Sequence, residues 1–152
     1  MDKLSMFTDT AGGEILKFMG DGMLAIFPVS APGQRAETAS RAARAAASAM
    51  DAMLVLNRVR AAEGEPPVRF GLALHIGEVM FGNIGASQRL DFTVIGPAVN
   101  HAARLEKLCS PLDRSVVLSA SLAALLPENE SQALGRHAMK DIDAPQSIYG
   151  LR

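Results

Sequence analysis

The spacing of apolar positions switches repeatedly along this chain, and each switch marks a change of element. Residues 14–27, EILKFMGDGMLAIF, set two β-rich runs around a tight polar step. That pattern predicts a hairpin at about 14–28, turning at Asp21-Gly22 and closed by Pro28. Period-two alternation places Ile15, Lys17 and Met19 on one face and Leu16 and Phe18 on the other. Both faces are then apolar, so Lys17 either snorkels to water or meets a partner. On this stretch alone a snorkelling lysine and a turn-forming aspartate are the ordinary reading. Residues 2–10 read as the last turns of a helix stopped by Gly12-Gly13. From about Gln34 to Ala62 the period becomes helical, with Ala39, Ala43, Ala46, Met50, Met53 and Leu54 as the apolar stripe. Small side chains there allow close approach to a sheet, while Arg41, Arg44, Arg58 and Arg60 are expected on the solvated side.

Beyond Gly64 and Pro66-Pro67, VRFGLALHIGEVMFGNIG predicts strands at about 68–76 and 78–84, and a short third at Leu90–Ile95. Gly96-Pro97 opens a helix running to about Leu108, since proline suits a first helical turn. A β-branched strand follows at Ser115–Leu118, then a short helix at 119–126 capped by Ser119 or Ser121. Two last strands, near 132–139 and 146–151, are split by DIDAP. Strands that adjoin directly, with helices between groups of them, point to an α+β sandwich with a mixed, mainly antiparallel sheet.

Composition narrows the classes. The 152 residues are 49% hydrophobic and 20% charged, ordinary for one globular domain. Fifteen basic against 16 acidic side chains give no electrostatic case for nucleic-acid binding, and six Phe with one Tyr make a poor base-stacking surface. The single cysteine, Cys109, excludes an internal disulfide and a cysteine-based zinc cluster, suits a reducing cytoplasm, and is expected to be a small buried filler. No apolar run approaches the ~20 residues of a membrane helix, so no membrane contact by this domain is expected, a tether elsewhere remaining open.

Candidate chemistry concentrates in LDFTVIGPAVNHAARLEKLC, residues 90–109. Asn100 and Arg104 stand four apart in the predicted helix, roughly 40° apart on one face. Their helix opens after a glycine turn, where free N–H groups and the dipole favour an anion. An amide and a guanidinium so placed can address one phosphate, arginine with a fixed fork of donors. By spacing alone, the ordinary reading is an amphipathic helix with Ala102, Ala103 and Leu105 packed inward and Asn100 and Arg104 solvated. His75 reads as a satisfied core or edge histidine, and His101 and His137 lack the spacing of a zinc site. GNIG at 82–85 is not a Walker loop, because no G-x-x-x-x-G-K-[ST] pattern occurs.

Taken in order, GGEILKFMGDGMLAIF, HIGEVMFGNIG and DFTVIGPAVNHAARLE resemble the signature segments of the class III nucleotidyl cyclase catalytic domain, bacterial members most closely. HAMKDIDAPQSIYGL is similar to that family's closing strands. The resemblance runs from Ala11 to Leu151 and implies a ferredoxin-like βαββαβ core. It implies an adenylate cyclase making 3′,5′-cyclic AMP and pyrophosphate from Mg-ATP, at sites shared across a head-to-tail homodimer. Asp21 matches a metal aspartate for Mg²⁺ or Mn²⁺ in a two-metal site. Lys17 matches the lysine facing the purine base, and Thr93 the residue opposite it. Together they read as adenine-selective, a guanine reader needing an acceptor at 17. Asn100 matches the ribose-orienting asparagine and Arg104 the arginine on the α-phosphate. Lys140 falls where the family places a triphosphate-binding lysine, followed here by Asp141 instead of the usual glycine, which partly cancels the charge. Pro97 and Ala98 replace the more frequent acidic and threonine residues.

The family's first metal aspartate belongs to a strand and loop, F-x-D-x-x-G-F-T, ahead of the first helix, and this sequence begins after that point. Phe7-Thr8-Asp9 stands too close to Gly12-Gly13 to supply it. The expectation is a single catalytic domain over 1–152 that is N-terminally incomplete, by truncation and not decay, since Lys17, Asp21, Thr93, Asn100 and Arg104 are intact. Loss of that strand should leave sheet edges unpaired or force a strand swap. An upstream regulatory domain is expected in the parent protein. The rival readings are a guanylate cyclase and a non-catalytic nucleotide-sensing or dimerisation module.

Overall fold

The structure, a computed structural model, describes residues 11–84 and 91–152. The predicted helix at 2–10, and Leu90 at the start of the third strand, lie outside the described residues. The remaining elements fall close to where the periodicity puts them.

Strands β1 (Glu14–Met19) and β2 (Gly22–Ile26) form the antiparallel hairpin. Two details differ from the alternation argument. The pairing of Met19 with Gly22 leaves Gly20 and Asp21 as a two-residue loop, so the turn is centred one residue earlier than Asp21-Gly22. Gly20 takes the positive φ of 59° while Asp21 does not, as in a type II′ turn, whose first central position favours glycine. The second difference is a register shift. Ile15 faces Ala25 and Lys17 faces Leu24, so Leu16 is an extra residue that breaks strict alternation. Lys17 and Phe18 are consequently both exposed, while Ile15 and Leu16 are both half-buried.

A short 3₁₀ turn (Pro32–Gln34) leads into α1 (Arg35–Ala62). Its buried face is Thr38, Ala39, Ala42, Ala43, Ala46 and Ala49, and Met50 packs against the same core. The predicted stripe fails further on, where Leu54 is 58% exposed. Twenty-eight helical residues span about 42 Å, far more than strands of three to seven residues can cover, so the last turns outrun the sheet. Arg44 and Arg58 are solvated as expected, whereas Arg41 and Arg60 are half-buried. Arg41 reaches Thr38 Oγ1 at 3.3 Å, and Arg60 donates to the Pro66 carbonyl at 2.8 Å.

Next come β3 (Leu72–Leu74), β4 (Met80–Ile84), β5 (Asp91–Ile95) and α2 (Pro97–Glu106). The first of these strands is shorter than expected because Val68 is engaged elsewhere. Its N–H and carbonyl bond the side-chain amide of Asn57 on α1, at 2.8 and 2.9 Å, in place of a strand partner. Then follow β6 (Val116–Ser119), the single turn α3 (Ala120–Ala123), a 3₁₀ turn (Glu128–Glu130), β7 (Ser131–His137) and β8 (Gln146–Leu151).

Among the described residues the strands form a four-stranded sheet in the order β3-β6-β8-β7 and two hairpins, β1-β2 and β4-β5. Only β3-β6 is parallel, Leu72 opposite Val116. The architecture is the expected α+β with mainly antiparallel pairing. Strand β6 is the spine: Val116 and Leu118 pack with the alanines of α1, and Val117 joins Leu105, Cys109, Met139 and Ile148 under α2. Each helix therefore covers one face, as period-two alternation requires. Cys109 is buried, its thiol directed at the Leu72 carbonyl at 3.5 Å, and burial pushes its pKa up. No described helix is long and apolar enough to cross a membrane.

Candidate active site

The helix α2 carries two of the predicted residues, Asn100 and Arg104. Gly96, at φ 150°, lets the chain pass the Glu78 carbonyl, which a Cβ there would approach to 3.1 Å. Pro97 then fixes the first helical position. Leu105 is fully buried and anchors the helix on the sheet, which turns the opposite side outward. On that side Gly96, Pro97, Asn100, His101 and Arg104 face Ile142 and Gln146 across an open groove of ≈ 640 Å³. That volume is in the range of small-molecule sites. Asn100 is exposed and Arg104 half-buried. The two predicted phosphate-addressing groups thus open onto one groove instead of dispersing over a helix surface.

Across the groove, the link from β7 to β8 makes a tight turn. The Ile142 N–H bonds the Met139 carbonyl at 3.2 Å, which puts Lys140 and Asp141 at the two central positions. Asp141 adopts φ 58° there, a conformation glycine takes most easily. Its Oδ2 is 3.3 Å from Arg104 Nη2. The negative charge expected to offset Lys140 is therefore paired with Arg104. Lys140 itself is exposed.

The other three predicted residues stand on the hairpins. Lys17 projects from β1 just past the extra residue, and among the described residues it has no ion-pair partner. Asp21 is exposed at the hairpin tip. Thr93 lies on β5 with its backbone opposite Gly82, and β5 neighbours β1. Lys17 and Asp21 are not among the described residues that line the groove under Asn100 and Arg104. Within one chain the structure brings Asn100, Arg104 and the Lys140 turn together, and groups the other three residues on neighbouring hairpins.

Comparison with known proteins decides what this arrangement belongs to. The adenylate and guanylate cyclase catalytic domain family matches residues 1–149. This chain is a member of that family. It is 32% identical over 127 residues to an adenylate cyclase of Anabaena cylindrica, covering 83% of this chain and 24% of that protein. The chain therefore spans about a quarter of the length of that relative. Among solved structures it is similar to the adenylyl cyclase CyaB from P. aeruginosa, with a TM-score of 0.81 at 27% identity over 99% of this chain and 77% of the other. A guanylyl cyclase structure is as similar, with a TM-score of 0.79 at 25% identity over 99% and 75% of the two chains.

Two features of the cyclase domain escaped the sequence reading. His75 and His101, 26 positions apart, stack with ring centroids 4.2 Å apart and planes inclined by 23°. His75 Nδ1 is 2.9 Å from Ser119 Oγ, and that hydroxyl also accepts from the Leu122 N–H to cap α3. His75 is satisfied as expected, but it joins α2 to the end of β6. Burial, then the neighbouring His101, pushes the His75 pKa down to about 4. Burial, then the Arg104 charge, lowers His101 as well. The ion pair of Arg104 with Asp141 is the other missed feature, and its one signal in sequence was an aspartate where the family usually has glycine. His137 bonds the Leu134 carbonyl at 2.7 Å, and no group of three metal-ligating side chains occurs among the described residues.

Proposed function

We propose that this chain is an adenylate cyclase catalytic domain, working at a site shared between two copies. The observation that carries the reading is the groove on which Asn100 and Arg104 open one helical turn apart, beside the Lys140 turn. A guanidinium at the head of a groove of nucleotide size is suited to a transferring phosphoryl group, because its donors match the charge that develops on the oxygens. In the reaction proposed, the ribose 3′-hydroxyl gives its proton to water and its oxygen attacks the α-phosphorus. The bond from the α-phosphorus to the bridging oxygen breaks, and pyrophosphate leaves with that electron pair. Arg104 bears on the α-phosphate, Asn100 orients the ribose, and Lys140 draws on the outgoing phosphates. Such catalysis rests on positioning and electrostatics, with little covalent work for the protein.

Lys17 and Thr93 are assigned to the base. An ammonium can donate to adenine N1, and a hydroxyl can accept from the 6-amino group. Asp21 is an exposed hard-oxygen ligand of the kind Mg²⁺ or Mn²⁺ takes, and Mg²⁺ completes its shell with waters and substrate phosphates. Such an ion, when bound, lowers the cost of exposing negative charge on the 3′-oxygen. The separation of the Lys17 hairpin from the Arg104 groove supports the shared-site reading, since a partner copy can bring the two halves together. A cytoplasmic setting and an upstream regulatory domain belong to the same proposal.

The test is product formation by the full-length protein given ATP or GTP with Mg²⁺ or Mn²⁺, beside Asp21→Asn. Cyclic AMP from ATP, lost in the variant, is the expected result. Cyclic GMP as the main product would overturn the base assignment. No product from either nucleotide, in a protein shown to be dimeric, would replace the enzyme with a nucleotide-sensing or dimerisation module.

A further inference from the structure

The turn opposite α2 carries a charge whose role goes beyond the family reading. Met139 is buried against Leu105 and Ile142 packs on the same cluster, so both ends of the turn are fixed. Its third position is held at φ 58°, where any side chain is strained relative to glycine, and aspartate occupies it. The carboxylate makes one contact with Arg104, at 3.3 Å, and this is the arginine's only side-chain hydrogen bond among the described residues. The pair is not dry: the side chains are 32% exposed for Arg104 and 63% for Asp141. A single-point, water-screened ion pair of this kind is weak and exchanges readily. It also leaves most of the guanidinium's five donors uncommitted.

We propose that Asp141 is the resident counter-ion of Arg104, displaced when a phosphate enters the groove, and that it thereby sets how tightly this site holds polyphosphate. Asp141 acts through Arg104 as a positioning residue. While the groove is empty, the carboxylate holds the guanidinium toward the turn between β7 and β8. Once the phosphate chain is bound, the same carboxylate is a like charge beside it. Its removal leaves Arg104 in the groove and Lys140 on the adjoining turn without a compensating carboxylate. Phosphate binding is then strengthened on both counts, while Arg104, Asn100 and Lys140 are themselves retained.

The inference rests on the proposed nucleotide site, and the test separates the two. Asp141→Asn keeps a residue that tolerates the left-handed conformation, and Asp141→Gly removes the strain as well. In the full-length protein both variants should lower KM for the nucleotide by about twofold to fivefold with kcat nearly constant, the range a screened ion pair supports. Affinity for inorganic triphosphate, read by calorimetry, should rise by the same factor, and the gain should shrink at high salt. An unchanged or raised KM, a fall in kcat alone, or equal triphosphate affinity in all three proteins would overturn the role of Asp141. Should the unsubstituted protein make no cyclic nucleotide, the enzyme reading falls, and the triphosphate measurement still decides the counter-ion.

Discussion

Gly77 lies where the chain leaving β3 passes the first turn of α2, and adding one methyl group there tests whether that turn sets the geometry of the Asn100–Arg104 groove. A Cβ on residue 77 would stand 2.6 Å from the Cβ of Ala98 and 3.3 Å from His75 Nε2. Carbon atoms in contact prefer about 3.5–4.0 Å, so the first clash demands a displacement of about 1 Å. Neither methyl group has a rotamer to change, so backbone must move. Ala98 sits two residues before Asn100 on a helix whose far end is pinned by buried Leu105. The displacement therefore tilts the helix and shifts both site side chains. Overpacking of this kind costs about 1–3 kcal/mol, and misplacing a positioning group by ~1 Å can cost ~10² in rate. Gly77→Ala should thus lose far more turnover in a cyclic-nucleotide assay than its thermal unfolding shift suggests. Adding Ala98→Gly removes the clashing atom and leaves the residue 98 Cα at an ordinary 3.7 Å, so the double variant should recover activity although a helical glycine costs about 1 kcal/mol. Unchanged rate and Tm in Gly77→Ala, or a double variant no better than the single one, would refute the reasoning.

Two further outcomes follow from the core beneath the site. His75 is held neutral in the fold, its pKa lowered from 6.5 to about 4, so the unfolded chain binds a proton more readily. The stability this contributes is present above about pH 6.5 and is lost as pH falls toward 4. The full shift corresponds to roughly 3 kcal/mol at most, and about half that after allowance for the solvent reaching a half-buried ring. Urea unfolding midpoints at pH 7 and pH 4.5 should differ less in His75→Gln than in the unsubstituted chain, and equal differences would exclude the histidine. Leu105→Ala removes a fully buried side chain under α2 and should cost about 2–5 kcal/mol in denaturant unfolding, with less than about 1 kcal/mol indicating that α2 is not anchored there.

Local rules made much of this protein legible from sequence. The glycine-flanked hairpin, the alanine-rich helix, the proline-opened α2 and a serine cap at Ser119 or Ser121 all depend on residues near in sequence, whose preferences act within a turn or two. Asn100 and Arg104 were likewise legible as a pair, because helical spacing alone puts them on one face. Local rules failed where a distant segment chose the outcome. The extra residue at Leu16 comes from pairing with β2, and it sends Lys17 to solvent when alternation had matched it with Ile15. Leu54 is exposed because the sheet ends before the helix does, a length relation that no helical period encodes. His75 falls just past the end of β3, where its ring meets His101 and Ser119, partners 26 and 44 positions away. The partnership of Asp141 with Arg104 spans 37 positions, and a weak contact between an exposed carboxylate and a half-buried guanidinium leaves no pattern along the chain. Sequence therefore determined the elements, the family and the cast of polar groups. Tertiary structure alone decided which charges meet, because electrostatic pairing depends on distance in space and is blind to distance along the chain.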